Sequence, residues 1–204
     1  MRALAKSFVN GVALALASPF AFLCWLERWV SPHREKLFNF WAHAFALLPG
    51  WPGMYLRRAF YRMTLSACAP GCFIGFGAFF SHREATVGEG VYIGSYSIIG
   101  SARLQTGCLI GSRVSVLSGS QLHDLTDDGK WTPYHLSRLQ QVEIGEHAWV
   151  GEGAIIMADI GGQTMVAAGS VVTTPVPAGV VVGGNPARFV RKLSPPEREQ
   201  HGER

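Results

Sequence analysis

Two hydrophobic patterns divide the chain. Over residues 70–190, aliphatic residues recur every six positions, most often followed by a small residue. The rows run Val87-Gly88-Glu89-Gly90-Val91-Tyr92, Ile93-Gly94-Ser95-Tyr96-Ser97-Ile98, then Ile99-Gly100. After a slip come Ile110-Gly111-Ser112-Arg113-Val114-Ser115 and Val116. After a break come Ile144-Gly145-Glu146-His147-Ala148-Trp149, Val150-Gly151-Glu152-Gly153-Ala154-Ile155 and Ile156, and later Val166-Ala167-Ala168-Gly169-Ser170-Val171 and Val172. A helical period of 3.6 cannot generate this repeat, and isolated alternating strands would not hold phase over so many rows. A solenoid with three short strands per coil does. Each hexad forms one side of a triangular prism, and its aliphatic residue points inward onto its counterpart one coil away. The small residue fits the tight corner, where φ can be positive. A β-sandwich would instead show turn signals every 8–12 residues or so. The expected fold is mainly β, a parallel β-helix of about five to six coils.

The N-terminal 69 residues read differently. Residues 7–26, SFVNGVALALASPFAFLCWL, carry no charge. As a helix they are about 30 Å long, the thickness of a hydrocarbon core. Trp25 and Trp29 stand where an interfacial aromatic belt would, and Pro19 predicts a kink. A second uncharged run, 37–56, contains PGWPG, which ends a helix near Leu48. Its helical part is too short to span a bilayer and suits a re-entrant or interfacial helix. The segment is therefore expected to be helical and membrane-associated, as one span, a hairpin or a re-entrant element. A cleaved signal peptide and a buried helical subdomain are the competing readings.

Charge sharpens this division. Residues 1–69 carry eight Lys/Arg and two acids, whereas residues 70–204 carry ten and twelve. The excess of positive charge sits in the apolar third, which points to anionic lipid rather than nucleic acid. Arg57, Arg58 and Arg62 are expected to form a basic collar against lipid phosphates, with the chain on the cytoplasmic face of the cell membrane. Cys24, Cys68, Cys72 and Cys108 form no CxxC pair and lack a His at zinc-site spacing, so they read as reduced, buried thiols.

Residues 122–141, LHDLTDDGKWTPYHLSRLQQ, fit no repeat row, and loops inserted at solenoid corners tend to lie on a binding face. His123 lies where this loop leaves a rigid coil. A neutral imidazole there suits removal of a hydroxyl proton. His82 and His147 fall at coil corners and are weaker candidates, as is His135 within the loop. Asp124, Glu152 or a backbone carbonyl can orient the base, and Asp127-Asp128-Gly129 reads as a turn.

The repeat rows, the SGSQLHD loop opening (118–124), IGEHAWVGEGAII (144–156) and AAGSVVTTPVPAGVVVGGNPARFVRKL (167–193) resemble the hexapeptide-repeat acyltransferases. The likeness is to the maltose/galactoside O-acetyltransferase and xenobiotic acetyltransferase branch, and it leaves the first 69 residues outside. The resemblance implies a left-handed parallel β-helix over 70–190, followed by a charged tail, 191–204. It also implies acetyl-CoA as co-substrate, no metal and a homotrimer with active sites between subunits. His123 matches the general base. Trp149, Gly151, Ala167, Ala168 and Thr173 match positions along the coenzyme A arm, and Arg188 and Arg191 can meet its phosphates. The family often has Lys after the Val-Val-Thr row; Thr174 stands there, which removes one phosphate contact. The expected activity is O-acetylation of a sugar hydroxyl, on a polysaccharide or lipid-linked glycan precursor. An amino-sugar N-acetyltransferase, a serine O-acetyltransferase and a non-catalytic scaffold of a membrane assembly are the alternatives.

Overall fold

The computed structural model describes residues 2–118, 124–132 and 139–193. Three helices come first: α1 (Arg2–Val30), α2 (Lys36–Ala46) and α3 (Gly50–Thr64). Among the described residues sixteen short strands follow and wind into a parallel β-solenoid of about six turns with three faces.

The first face holds β1 (Ala67–Cys68), β4 (Thr86–Val87), β7 (Ala102–Leu104) and β10 (Val142–Ile144). The second holds β2 (Phe73–Ile74), β5 (Tyr92–Ile93), β8 (Leu109–Ile110), β11 (Trp149–Val150), β13 (Met165–Val166) and β15 (Val180–Gly184). It is closed by the one antiparallel strand among those described, β16 (Ala187–Lys192). The third holds β3 (Phe79–Phe80), β6 (Ile98–Ile99), β9 (Ser115–Val116), β12 (Ile155–Ile156) and β14 (Val171–Val172).

The six-residue period is the period of this winding. The inward residue of each hexad stacks on its counterpart, as in Ile74, Ile93, Ile110, Val150 and Val166 on the second face. All five are fully buried. Burying one such side chain stabilises by about 1.5–3 kcal/mol.

The glycines divide into two classes, which corrects the expectation that one small residue serves the corner. The glycine directly after the inward residue is a close-approach position. A Cβ on Gly111 would lie 2.7 Å from the Glu152 backbone nitrogen of the next coil, and one on Gly88 2.8 Å from that of Thr106. Positive φ falls two residues later, at Gly90, Gly153 and Gly169, where it is +69°. Tyr96, Arg113, His147 and Gln163 adopt the same conformation at the equivalent place in their hexads.

The helices are tied to the starting end of the solenoid rather than standing apart from it. Arg57 is 2% exposed, and its guanidinium donates to the carbonyls of Phe45, Ala46, Leu48 and Ile74. Arg58, 6% exposed, donates to the Cys72 carbonyl and to Asn10 Oδ1 of α1. The expected lipid-facing collar is thus overturned for these two residues. Helix and corner carbonyls left without partners claim the guanidinium groups first, and a buried carbonyl without a donor is costly. Of the three, Arg62 alone is exposed. α1 runs through Pro19 as one helix, and α2 ends at Ala46, just before the PGWPG turn whose last four residues open α3.

One substitution pair tests the two glycine classes by chemical denaturation. Gly111→Ala forces a methyl into the neighbouring backbone and is expected to cost about 3 kcal/mol or more. Gly153→Ala meets nothing within 4 Å. It is expected to cost only the left-handed backbone term, about 1–2 kcal/mol.

Candidate functional site

The repeat is interrupted at one corner, between the third face and the first. Ser118 is the last described residue before the excursion, and Gln140 returns to it, donating its backbone N–H to the Ser118 carbonyl at 2.9 Å. Next to it, Gln141 Nε2 donates to the Glu84 carbonyl at 2.8 Å. Both ends of the loop are therefore fastened to one corner. The register stacks His82, Ser101 and Ser118 there in successive coils, since Phe80, Ile99 and Val116 are paired in order. His123 and His135 lie outside the described residues. The described part of the loop is a small hairpin. Leu125 bridges Trp131, and Thr126 Oγ1 donates to the Lys130 carbonyl at 2.8 Å around the Asp127-Asp128-Gly129 turn. Gly129 has a φ of +77°, as the turn reading requires.

A groove of about 450 Å³ runs along this corner and onto the third face, lined by Ser81, His82, Gly100, Ser118, Ile98 and Ile155 among others. His82 also lines a second cavity of about 660 Å³, which opens toward the N-terminal segment at Glu35, Asn39 and His43.

His82 was a weak candidate in the sequence, and the structure raises its standing. Its Nδ1 lies 2.7 Å from Glu35 Oε2. Glu35 Oε1 accepts from the Arg83 backbone N–H and from Arg83 Nε at 3.0 and 3.2 Å, and Arg83 reaches on to Glu27 at 3.1 Å. Burial alone would raise the Glu35 carboxyl. The hydrogen bonds and charges of His82 and Arg83 outweigh it and hold the group below its ordinary value. The signal missing from the sequence is long-range, because Glu35 and His82 are 47 residues apart.

The residues matched to the coenzyme arm separate into groups. Trp149 is half exposed on the second face. Gly151, Ala167 and Ala168 stack at the corner between the second and third faces. A Cβ on Gly151 would meet the Ala168 nitrogen at 2.5 Å. Arg188 and Arg191 are exposed on β16, at the end of the sheet that holds Trp149. Thr173 does not join them. It lies after β14, at the loop-bearing corner, in register with Leu117 and Met157. Glu152 pairs with Arg113 at 2.6 Å, and both side chains are exposed. Among the described residues no group of three or more His, Cys, Asp or Glu converges as a metal would need.

No family profile matches the chain. It is similar to serine acetyltransferase 2 of Arabidopsis thaliana, 37% identical over 116 residues, which is 55% of this chain and 32% of the relative. It is also similar to the mitochondrial gamma carbonic anhydrase 2 of Arabidopsis thaliana, 33% identical over 109 residues, 52% of this chain and 39% of the relative. The chain thus spans only about a third of the length of these curated relatives. Among solved structures, the fold is similar to a maltose O-acetyltransferase from Clostridium difficile 630. The TM-score is 0.65 at 20% identity, over 79% of this chain and 87% of the other. The shared feature is the parallel β-solenoid.

The Glu35 network carries a pH signature. Its folded-state pKa is depressed, so its contribution is fully present above the unfolded carboxyl value and is lost as pH falls through the folded one. In urea denaturation at neutral pH, Glu35→Gln is expected to cost about 3 kcal/mol, because it leaves Arg83 buried and under-compensated. The gap between the variant and the parent should narrow as pH falls below the ordinary carboxyl range.

Proposed function

We propose that this hexapeptide-repeat solenoid is an acetyl-CoA-dependent acyltransferase that acetylates a hydroxyl group, with a sugar as the acceptor. The observation that carries this reading is the excursion loop. It contains His123, and both of its ends are fastened beside a polar-cornered groove on an otherwise unbroken coil. Support for the donor comes from the similarity to a serine acetyltransferase, and for a sugar acceptor from the likeness in fold to a maltose O-acetyltransferase.

In this reading His123 accepts the hydroxyl proton as the oxygen attacks the thioester carbonyl. The tetrahedral intermediate then collapses and expels the CoA thiol, which takes up that proton. His82, held by Glu35, faces the groove and positions the acceptor. The small corner residues Gly151, Ala167 and Ala168 leave a track along the backbone for the pantetheine arm beside Trp149, and Arg188 and Arg191 meet the phosphates. The half-exposed column of Tyr92, Leu109 and Trp149 on the second face suits packing against further copies in a homotrimer.

The expected outcome for His123→Ala is a folded protein that binds CoA while acetyl transfer falls by about 10²–10⁴-fold. Thiol release from acetyl-CoA with a panel of soluble sugars measures the second quantity and calorimetry the first. A folded parent protein that binds no CoA would favour a scaffold. Unchanged transfer by His123→Ala would remove this mechanism.

The N-terminal helices support attachment to the cytoplasmic membrane face. Lys6–Val30 is long and apolar enough to cross a bilayer by length and composition. Phe8, Leu16, Phe22, Trp25 and Trp29 are all more than half exposed, while Ala13, Ala17, Ala21 and Cys24 are buried. Yet α1 is held against the protein at two points along its length, Asn10 by Arg58 and Glu27 by Arg83. A helix fastened to one domain in this way suits the interface better than a span. Single cysteines at Lys6 and Arg34 are expected to react with an impermeant thiol reagent from the same side of sealed vesicles. Labelling from opposite sides would establish a span.

A further inference from the structure

The four cysteines are not equivalent. Cys24 and Cys108 are each buried, and burial pushes their thiols up to about 11 and about 12. Such thiols are poor nucleophiles, because the thiolate is the reactive form. Cys68 and Cys72 are different. Their sulfurs are 3.6 Å apart, in contact but not bonded, where the chain passes from α3 into the first coil.

Both are held there by fixed backbone. Cys68 sits in β1, in register with Val87 of β4. Just beyond Cys72, the Phe73 N–H donates to the Val91 carbonyl at 2.8 Å, and Arg58 holds the Cys72 carbonyl itself at 3.2 Å. Between them, the Gly71 N–H donates to the Glu89 carboxylate at 3.2 Å. The two sulfurs therefore meet because the corner is pinned on both sides. Cys68 is partly exposed and Cys72 is buried. The Cys68 thiol hydrogen bond lowers the Cys72 thiol, against burial, and the nearby Arg58 charge adds to the effect. The same hydrogen bond, together with burial, raises the Cys68 thiol.

We propose that Cys68 and Cys72 form a peroxide-oxidisable dithiol, a covalent modification site at the seam between the helical segment and the solenoid. The Cys72 thiolate attacks one oxygen of a hydroperoxide, the O–O bond breaks so that the other oxygen leaves as hydroxide or alkoxide, and the sulfur becomes a sulfenic acid. The Cys68 sulfur then attacks the Cys72 sulfur and expels the hydroxyl, and the two displaced oxygens take up the thiol protons. Two thiols and one hydroperoxide thus give one disulfide, one water and one further water or alcohol, with two electrons passing from sulfur to oxygen. The access requirement is modest, because hydrogen peroxide is small and the pair is reached through the partly exposed Cys68. This inference is independent of the acyltransferase reading.

The test uses the reduced full-length chain in mild detergent. It is exposed to hydrogen peroxide, its remaining thiols are alkylated, and its peptides are weighed. The expected product joins Cys68 to Cys72 within one chain and loses two hydrogens. It should form at least about ten-fold faster than any oxidation of Cys24 or Cys108. Dithiothreitol should restore both thiols. In Cys68→Ser, Cys72 should instead be trapped as a sulfenic acid by dimedone, a readout that does not require the disulfide to form. The proposal is overturned if both cysteines are alkylated after oxidation, if the linkage joins two chains, or if Cys24 and Cys108 oxidise at the same rate as the pair.

Discussion

Where glycine follows the inward residue, the backbone of one coil passes within a methyl group of the next at the solenoid corner. Hydrogen-bonded strands lie about 4.8 Å apart, and a parallel coil must keep that spacing where it turns as well as where it runs straight. The Gly111 and Gly88 positions, where a Cβ would reach the backbone of the next coil, are the direct consequence. The spacing also explains why an insertion can leave only from a corner. A residue added within a face would shift the register of every strand above it. The excursion after Ser118 leaves from a corner and returns to it, so β9 and β12 stay paired, Ser115 with Ile155 and Val116 with Ile156. A rigid coil and a loop of independent sequence thereby share one edge. That is the arrangement a site needs when one partner must be fixed and the other variable.

The starting end of such a coil poses a different problem. Its first turn has no turn below it, so carbonyls and apolar side chains there would face water. Arg57 answers part of this by donating to four carbonyls from α2, the following turn and β2. Phe38, Phe60 and Tyr61 answer the rest. All three are fully buried, and Tyr61 packs edge-on to Phe80 at 4.8 Å. The Tyr61 hydroxyl also accepts the Phe80 N–H. Once α2 and α3 close the end, α1 is left with one face on α3 and the other exposed and apolar. An end cap built of helices therefore presents a hydrophobic outer surface.

The parts of this architecture that are local were legible in the sequence. The hexads from Val87 to Val172 gave the faces, the inward residues and the corner at which the loop departs. Legibility failed wherever a side chain serves a distant partner. Arg57 and Arg58 look like a surface collar because composition registers their charge and not the carbonyls they meet. Glu35 has no role assigned from the sequence, and His82 reads as one more corner, until the fold brings them to 2.7 Å. The 50–64 helix was hidden by PGWPG, in which Pro49 precedes the helix and Pro52 falls in its first turn, where proline is tolerated. Cys68 and Cys72 show no CxxC spacing, yet the pinned turn between them brings their sulfurs together.

The same spacing governs how small corner residues bear on function. Gly151 would be required by stacking even in a solenoid that bound nothing, because its Cβ position lies 2.5 Å from the Ala168 nitrogen. Its smallness is therefore no evidence for a ligand. Ala167 is more informative. It occupies the close-approach position after Val166, where most rows have glycine, and its methyl group is accommodated because Gly183 stands opposite it in the next coil. A Cβ on Gly183 would be 3.1 Å from that of Ala167. The small residue has moved one coil along, to the strand that turns back into β16. Where the pairing changes from parallel to antiparallel, the corner is no longer a repeat of the one before it. The exposed Arg188 and Arg191 follow immediately. A ligand laid along this edge would meet a uniform backbone track up to Ala167 and a distinct, cationic terminus beyond it. Polarity along an otherwise periodic edge is what a long molecule with a charged end requires to bind in one direction.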